Sequence, residues 1–223
     1  MYHSVIKRSL LFVSLAAILI LLASACSQPF TTPPGEVQAT EYEGVKLTPI
    51  QDQPNNALAG TQHINQGTYR LVVNGLVTTQ LSLSYQDLLN LPQVSELATL
   101  ECVEGWSFVA KWTGPTLASI FALAGVQPGA TTVIFDTTDV PDGYTSLDLS
   151  YIESQNIIIA LKLNDITLPA DRGFPFQLVA VGKYGYKWAK WVITINLSSD
   201  QNFRGYWESR GYSNEGDITD PPY

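Results

Sequence analysis

The sequence predicts an α+β fold, mainly β in mixed sheets with a few short helices. Three observations carry that reading. β-Branched and aromatic residues collect in short runs, such as Tyr69-Arg70-Leu71-Val72-Val73 and the stretch from Lys190 to Leu197. Asn74-Gly75 and Asn164-Asp165 each lie between apolar runs, where two-residue hairpin turns form. Helix start and stop signals occur, but they bracket only short stretches.

Taken in order, Tyr69 to Val73 reads as a strand, Asn74-Gly75 as its turn, and Leu76 to Thr78 with Leu81 to Leu83 as the return. Ser84 caps a short helix from Tyr85 to Asn90, which Pro92 stops. Leu97 to Cys102 and Phe108 to Trp112 are candidate strands. Pro115 to Ala124 reads as a helix with Pro at its first position and Gly125 closing it. Thr131 to Asp136 and Tyr144 to Leu149 are strands, followed by a helical turn at Tyr151-Ile152-Glu153. Ile157 to Leu161 and Ile166 to Leu168 flank the second hairpin turn, and Phe176 to Val181 and Lys190 to Leu197 are β-rich.

Three regions differ in composition. Residues 1–25 run from a polar start with Lys7-Arg8, through the apolar Leu10 to Leu22, to Ala23-Ser24-Ala25. This is the layout of a secretory signal peptide. The apolar run is short for a spanning helix, which needs about 20 residues. The small residues ending at Cys26 resemble a bacterial lipoprotein processing site, which implies that Cys26 becomes an acylated N-terminus on the outer face of the cell membrane. A plain signal peptide or an uncleaved anchor is the alternative. Residues 26–66, rich in Pro, Gln, Asn, Thr and Gly, read as a flexible tether. The folded domain is expected at 67–223.

Lys7 and Arg8 are the only charges in the first 25 residues, which leaves 10 basic and 20 acidic residues, a net −10, over the rest. Such a body argues against nucleic acid as a partner, since that needs clustered Lys and Arg. The chain holds two Cys and two His in all, too few for a zinc site built from these residues. With Cys26 lipidated, Cys102 has no disulfide partner. It is then either a buried small hydrophobe or a functional thiol. Leu100-Glu101-Cys102-Val103-Glu104-Gly105-Trp106 places it at a strand end before a Gly turn, where loops present functional groups. A thiolate there suits a transition metal.

Two blocks then carry a resemblance. Glu101-Cys102-Val103-Glu104-Gly105-Trp106-Ser107 with Trp112-Thr113-Gly114-Pro115-Thr116-Leu117 resembles the molybdenum-ligand segment of the sulfite oxidase fold, nearest to protein-methionine-sulfoxide reductase catalytic subunits. Gly173-Phe174-Pro175-Phe176-Gln177-Leu178-Val179 and Lys183-Tyr184-Gly185-Tyr186-Lys187-Trp188-Ala189-Lys190-Trp191 resemble that family's distal elements. The likeness covers roughly residues 67 to 200. It implies Mo-molybdopterin as cofactor and Cys102 as the molybdenum ligand. It also implies Thr137, Arg172, Gln177, Lys187 and Lys190 as cofactor-binding residues. Arg172, Lys183, Lys187 and Lys190 concentrate positive charge within 19 positions, and Gly173, Gly182 and Gly185 let backbone approach a ligand. The family's phosphate-binding Arg is replaced by Gln177, leaving more to Lys190 and Arg172.

The resemblance therefore implies a membrane-anchored, exported oxidoreductase performing two-electron oxygen-atom transfer on a small or sulfoxide-type substrate. Trp106, Tyr184 or Tyr186 would line its site, with Tyr184 a candidate catalytic residue. Ser107 stands where sulfite oxidases carry an Arg, which disfavours an anionic substrate. No haem motif is present in the chain, so a separate electron-transfer partner is implied. The alternatives are a non-catalytic lipoprotein that keeps the fold as a binding module, and a thiol enzyme. The second lacks a neighbouring His base.

Overall fold

The computed structural model describes residues 32–223. The signal peptide expected over 1–25 and the expected lipid site Cys26 lie outside the described residues. The centre is a long antiparallel hairpin, β5 (Val94–Glu101) and β6 (Ser107–Gly114), paired along its full length from Val94↔Gly114 to Glu101↔Ser107. Residues in β6 alternate, so Phe108, Ala110 and Trp112 point into the core. The turn between the strands is closed by Cys102 N–H donating to Trp106 O (2.9 Å) and Gly105 N–H donating to Cys102 O (3.0 Å). Cys102 is thereby fixed at the hairpin tip.

Before this hairpin come the small pair β1 (Glu41–Tyr42) and β2 (Val45–Lys46), then β3 (Leu71–Gly75), β4 (Leu81–Leu83) and helix α1 (Tyr85–Leu89). Ser84 and Asp87 form a capping box at the start of α1. After β6 follow α2 (Leu117–Ala124), β7 (Thr132–Thr137), β8 (Thr145–Asp148), α3 (Leu149–Ser154), β9 (Ile158–Ala160), β10 (Lys162–Leu163), β11 (Ile166–Thr167), β12 (Gln177–Val179) and β13 (Val192–Ser198). A five-stranded sheet runs β4-β3-β13-β7-β8, and β13 lies parallel to β3 but antiparallel to β7. A four-stranded sheet runs β11-β10-β6-β5, and β12 pairs with β9. The mixed sheets and short helices match the predicted class. No helix among the described residues is long and apolar enough to cross a membrane.

Three expectations change. Asn74-Gly75 is not a hairpin turn. It is the end of β3, paired with Asn196 and Leu197. Gly75 is required there because its φ is +82° and a Cβ would meet Leu197 O at 2.2 Å. The β3–β4 hairpin does form, closed by a longer connection. Second, α2 starts at Leu117 with Thr116 as its cap, so Pro115 precedes the helix. Third, the tether expected over 26–66 is not a tether from Thr32 onward. Residues 32–223 form one compact unit, with Leu47, Ile50 and Gln53 buried. The Asn164-Asp165 turn forms as predicted, with both residues at positive φ.

Candidate active site

A cleft of about 320 Å3 opens at the β5–β6 tip. Cys102, Trp106, Phe108 and Trp112 of the hairpin line one side, and Tyr186, Trp188, Lys190 and Trp191 of the segment before β13 line another. The rings are continuous along β6: Trp106 lies 6.4 Å from Phe108, Phe108 lies 6.3 Å from Trp112, and Trp112 lies 5.6 Å from Trp188. Cys102 is partly buried, and burial pushes its thiol up, opposed by the backbone N–H of Glu104. In the free protein it is a neutral thiol whose proton a metal would displace.

Arg172, Gln177 and Lys190 also line the cleft. Arg172 is buried, and its guanidinium donates to the carbonyls of Pro54 (3.0 Å), Gln53 (2.6 Å) and Ile50 (3.3 Å). Burial lowers its pKa, and Asp171 opposes this with Oδ2 at 3.3 Å. Lys190 donates to Asn55 Oδ1 at 2.8 Å and to the Asn56 carbonyl, with its Nζ 4.7 Å from the Trp191 ring centroid. Burial and the Arg172 charge push the Lys190 ammonium down to about 8. Gln177 makes no side-chain hydrogen bond among the described residues, and its backbone bridges to Lys190. Gly173, at φ +95°, makes this crowding possible: a Cβ would stand 3.0 Å from Gln177 Cβ and 3.2 Å from Lys190 Cβ. Trp191 holds the left-handed conformation at φ +54°, and its Nε1 donates to Ala170 O at 2.8 Å.

The structure separates the other predicted site residues from the cleft lining. Lys187 is fully buried, with Nζ 2.7 Å from Glu208 Oε1 and 2.7 Å from Asn214 O. Burial lowers its pKa and the Glu208 carboxylate opposes this. Its charge is already paired inside the protein, so it is a structural ion pair there and not a cleft cation. Lys183 is likewise held by Asp217 at 2.6 Å. Thr137 is buried, and its hydroxyl donates to Asp139 Oδ1 (2.8 Å) while accepting from Val140 N–H (3.2 Å). It positions Asp139, which does line the cleft. The Tyr184 hydroxyl donates to Asp220 O at 3.2 Å and its ring stacks on Tyr186, so Tyr186 and not Tyr184 borders the cleft.

Asn55, Asn56, Tyr144, Trp207 and Tyr212 line the cleft without having been foreseen. Asn55 and Asn56 fell in the expected tether. The others come from stretches with no motif.

The chain belongs to the oxidoreductase molybdopterin-binding domain family. Its sequence model matches residues 58–207. A protein of Azospira oryzae with the provisional name protein-methionine-sulfoxide reductase subunit YedZ1 is 32% identical over 187 residues, 79% of this chain and 70% of that protein. The Campylobacter jejuni protein-methionine-sulfoxide reductase catalytic subunit MsrP is 26% identical over 196 residues, 81% of this chain and 65% of its own length. The uncharacterized Bacillus subtilis oxidoreductase YuiH is 32% identical over 67% of this chain and 74% of its own. The sulfane dehydrogenase SoxCD of Paracoccus pantotrophus superposes with a TM-score of 0.66 at 24% identity, covering 69% of this chain and 44% of that one, which establishes the fold.

The residues present fit a molybdopterin. Trp112 is buried with its Nε1 unpartnered, and the Arg172 Nε, 3.3 Å from Asp171 Oδ2, makes no hydrogen bond. Both residues line the cleft, alongside Lys190. A phosphate-bearing, acceptor-rich cofactor matches that donor set. Cys102 supplies the soft ligand. Among the described residues no group of three or more His, Cys, Asp or Glu could hold a metal ion.

Proposed function

We propose that this oxidoreductase reduces a small neutral substrate of the sulfoxide type. It would do so on the outer face of the membrane, held there through lipid on Cys26. A separate protein would exchange electrons with it. The observation that carries the substrate reading is the lining of the cleft. Cys102 opens onto aromatic rings, and the lining includes the carboxylates of Glu104 and Asp139. Carboxylates in the lining disfavour an anion such as sulfite. The two cleft cations, Arg172 and Lys190, are bonded to groups of the 50–56 segment.

Bound there, the molybdenum cofactor supplies two-electron oxygen-atom exchange. The net reaction takes a sulfoxide, two protons and two electrons to a thioether and water. Cys102 would hold the metal from the rigid hairpin tip. Arg172 and Lys190 would hold the anionic end. Trp106, Tyr144 and Tyr186 would exclude water around the sulfoxide. The provisional name of the Azospira oryzae relative describes a subunit, which supports a separate partner. The lipid reading rests on Ala23-Ser24-Ala25-Cys26.

The test is purified, molybdenum-loaded protein with a reduced viologen and methionine sulfoxide, against sulfite with an oxidised acceptor. Viologen oxidation that needs the sulfoxide supports the proposal. Turnover of sulfite alone overturns the substrate reading. Cys102→Ser should lose molybdenum and turnover together. Cys26→Ala should lose acyl labelling in cells, and unchanged labelling removes the anchor.

A further inference from the structure

The segment after β13 makes one wall of the cleft. Trp207 and Tyr212 line it, together with Tyr144 and Cys102. Both are partly exposed. They are locked to each other, with centroids 5.4 Å apart and rings at 70°. Tyr212 also lies 5.1 Å from Tyr186, across the cleft lining. The backbone repeats the lock: Tyr212 N–H donates to Trp207 O, and Tyr206 N–H donates to Tyr144 O at 2.8 Å. Gly205 presses against the start of β8, where a Cβ would meet Tyr144 O at 2.3 Å and Thr145 Cα at 2.6 Å.

Glu208 lies between the two rings in sequence and points the other way. It is 1% exposed and accepts from Lys187 Nζ and from the Thr145 hydroxyl. The same lysine reaches Asn214 O at 2.7 Å. One buried cation thus ties down both sides of Tyr212. Lys187 itself belongs to the turn Gly185–Lys187 that carries Tyr186. The family model's match ends at residue 207, so Glu208 and Tyr212 lie beyond that match.

We infer that Trp207 and Tyr212 set substrate selectivity, and that the Lys187–Glu208 pair is the clasp that positions them. This rests on the sulfoxide reading above. An aromatic wall of rings set edge to face favours a substrate with an aryl or extended apolar group over a minimal one, because ring–ring packing adds to area burial.

The test compares kcat/KM for methyl phenyl sulfoxide and dimethyl sulfoxide in molybdenum-loaded protein. Fluorescence titration with methyl phenyl sulfoxide gives binding without turnover. Trp207→Ala and Tyr212→Ala should each lower the phenyl-to-methyl selectivity ratio by about tenfold. Tyr212→Phe should retain it. The double variant Lys187→Met/Glu208→Met replaces the clasp with apolar side chains of similar length. It should shift the ratio in the same direction at unchanged molybdenum content, a shift that a purely structural pair would not cause. Unchanged selectivity and binding in both alanine variants overturn the wall. Unchanged selectivity in the double variant overturns the clasp. If loaded wild-type protein neither binds nor turns over either sulfoxide, the sulfoxide reading fails and takes this inference with it. Turnover by wild type with unaltered variants fails the inference alone.

Discussion

Lys187→Met tests whether this lysine is structural or serves the cofactor. Both side chains of the Lys187–Glu208 pair are fully buried, 2.7 Å apart. Removing the cation leaves Glu208 buried with one oxygen, Oε2, already without a partner, and takes the donor from Asn214 O. Breaking a buried pair from one side costs about 3–5 kcal/mol. For a chain of this size each kcal/mol moves the thermal midpoint by about 2–4 °C, so the drop should be on the order of 6–20 °C. Lys187→Met/Glu208→Met should recover most of that loss, because replacing the whole pair removes the uncompensated charge. The assay is thermal and urea unfolding of cofactor-free protein, with molybdenum per chain measured separately on loaded protein. A single variant whose midpoint stays within about 2 °C of wild type while molybdenum is lost would refute the argument and return Lys187 to the cofactor.

The other predictions are narrower. Lys190 has its pKa pushed down to about 8, below the ordinary lysine value. Between that pH and about 10.4 the unfolded chain keeps a proton the folded chain has released, so stability of the cofactor-free protein should rise with pH across this window. The rise should be absent in Lys190→Met, as read from urea midpoints. An anionic cofactor favours the charged form, so retention after dialysis should fall above pH 8, by at most about tenfold per unit, and Lys190→Arg should flatten the profile. Arg172→Lys replaces a fork serving the carbonyls of Ile50, Gln53 and Pro54 with a point charge, at a cost of about 1–3 kcal/mol. Limited proteolysis should then cut near residues 50–58. Gly173→Ala places a Cβ at φ +95° against Gln177 and Lys190. It should cost about 1–3 kcal/mol and lower molybdenum occupancy, read by unfolding and metal analysis.

Cys102 was legible because its position depends on local signals. An alternating strand, a Gly turn and a second alternating strand place it at a tip, and the hairpin forms accordingly. The α1 cap and the Asn164-Asp165 turn were legible for the same reason. Asn74-Gly75 misled because an Asn-Gly pair also suits a strand end where another backbone comes close, and only β13 reveals that. The 32–66 segment misled because its buried residues, Leu47, Ile50 and Gln53, have no period and rely on distant partners. Sequence likewise could not tell which cations of the 172–190 cluster face the cleft. Glu208 and Asp217, which take Lys187 and Lys183 out of it, lie some 20 to 35 residues further on.

That sorting changes how the anionic end of the site is balanced. Four nearby cations reduce to two in the cleft lining, Arg172 and Lys190, beside a neutral Gln177. Arg172 cannot simply fill the place of the missing arginine. Three carbonyls depend on its guanidinium, and the bonds to two of them, Ile50 and Gln53, are buried, so swinging it away would leave those unsatisfied. Its Nε faces the Asp171 carboxylate at 3.3 Å without a hydrogen bond, and the ends of its fork stay with the 50–54 backbone. Lys190 differs. Its acceptors are the side chain of Asn55 and the backbone of Asn56, both exposed residues that water can reach, and the Asp171 carbonyl at 3.4 Å. The mobile charge of the site is therefore Lys190, and the fixed one is Arg172. An anion that takes Lys190 would draw it from Asn55 and Asn56, while the Arg172 bonds to the 50–54 backbone would remain. The N-terminal stretch that composition marks as a tether is thus part of the site, held against it by the same two side chains that would receive the cofactor's charge.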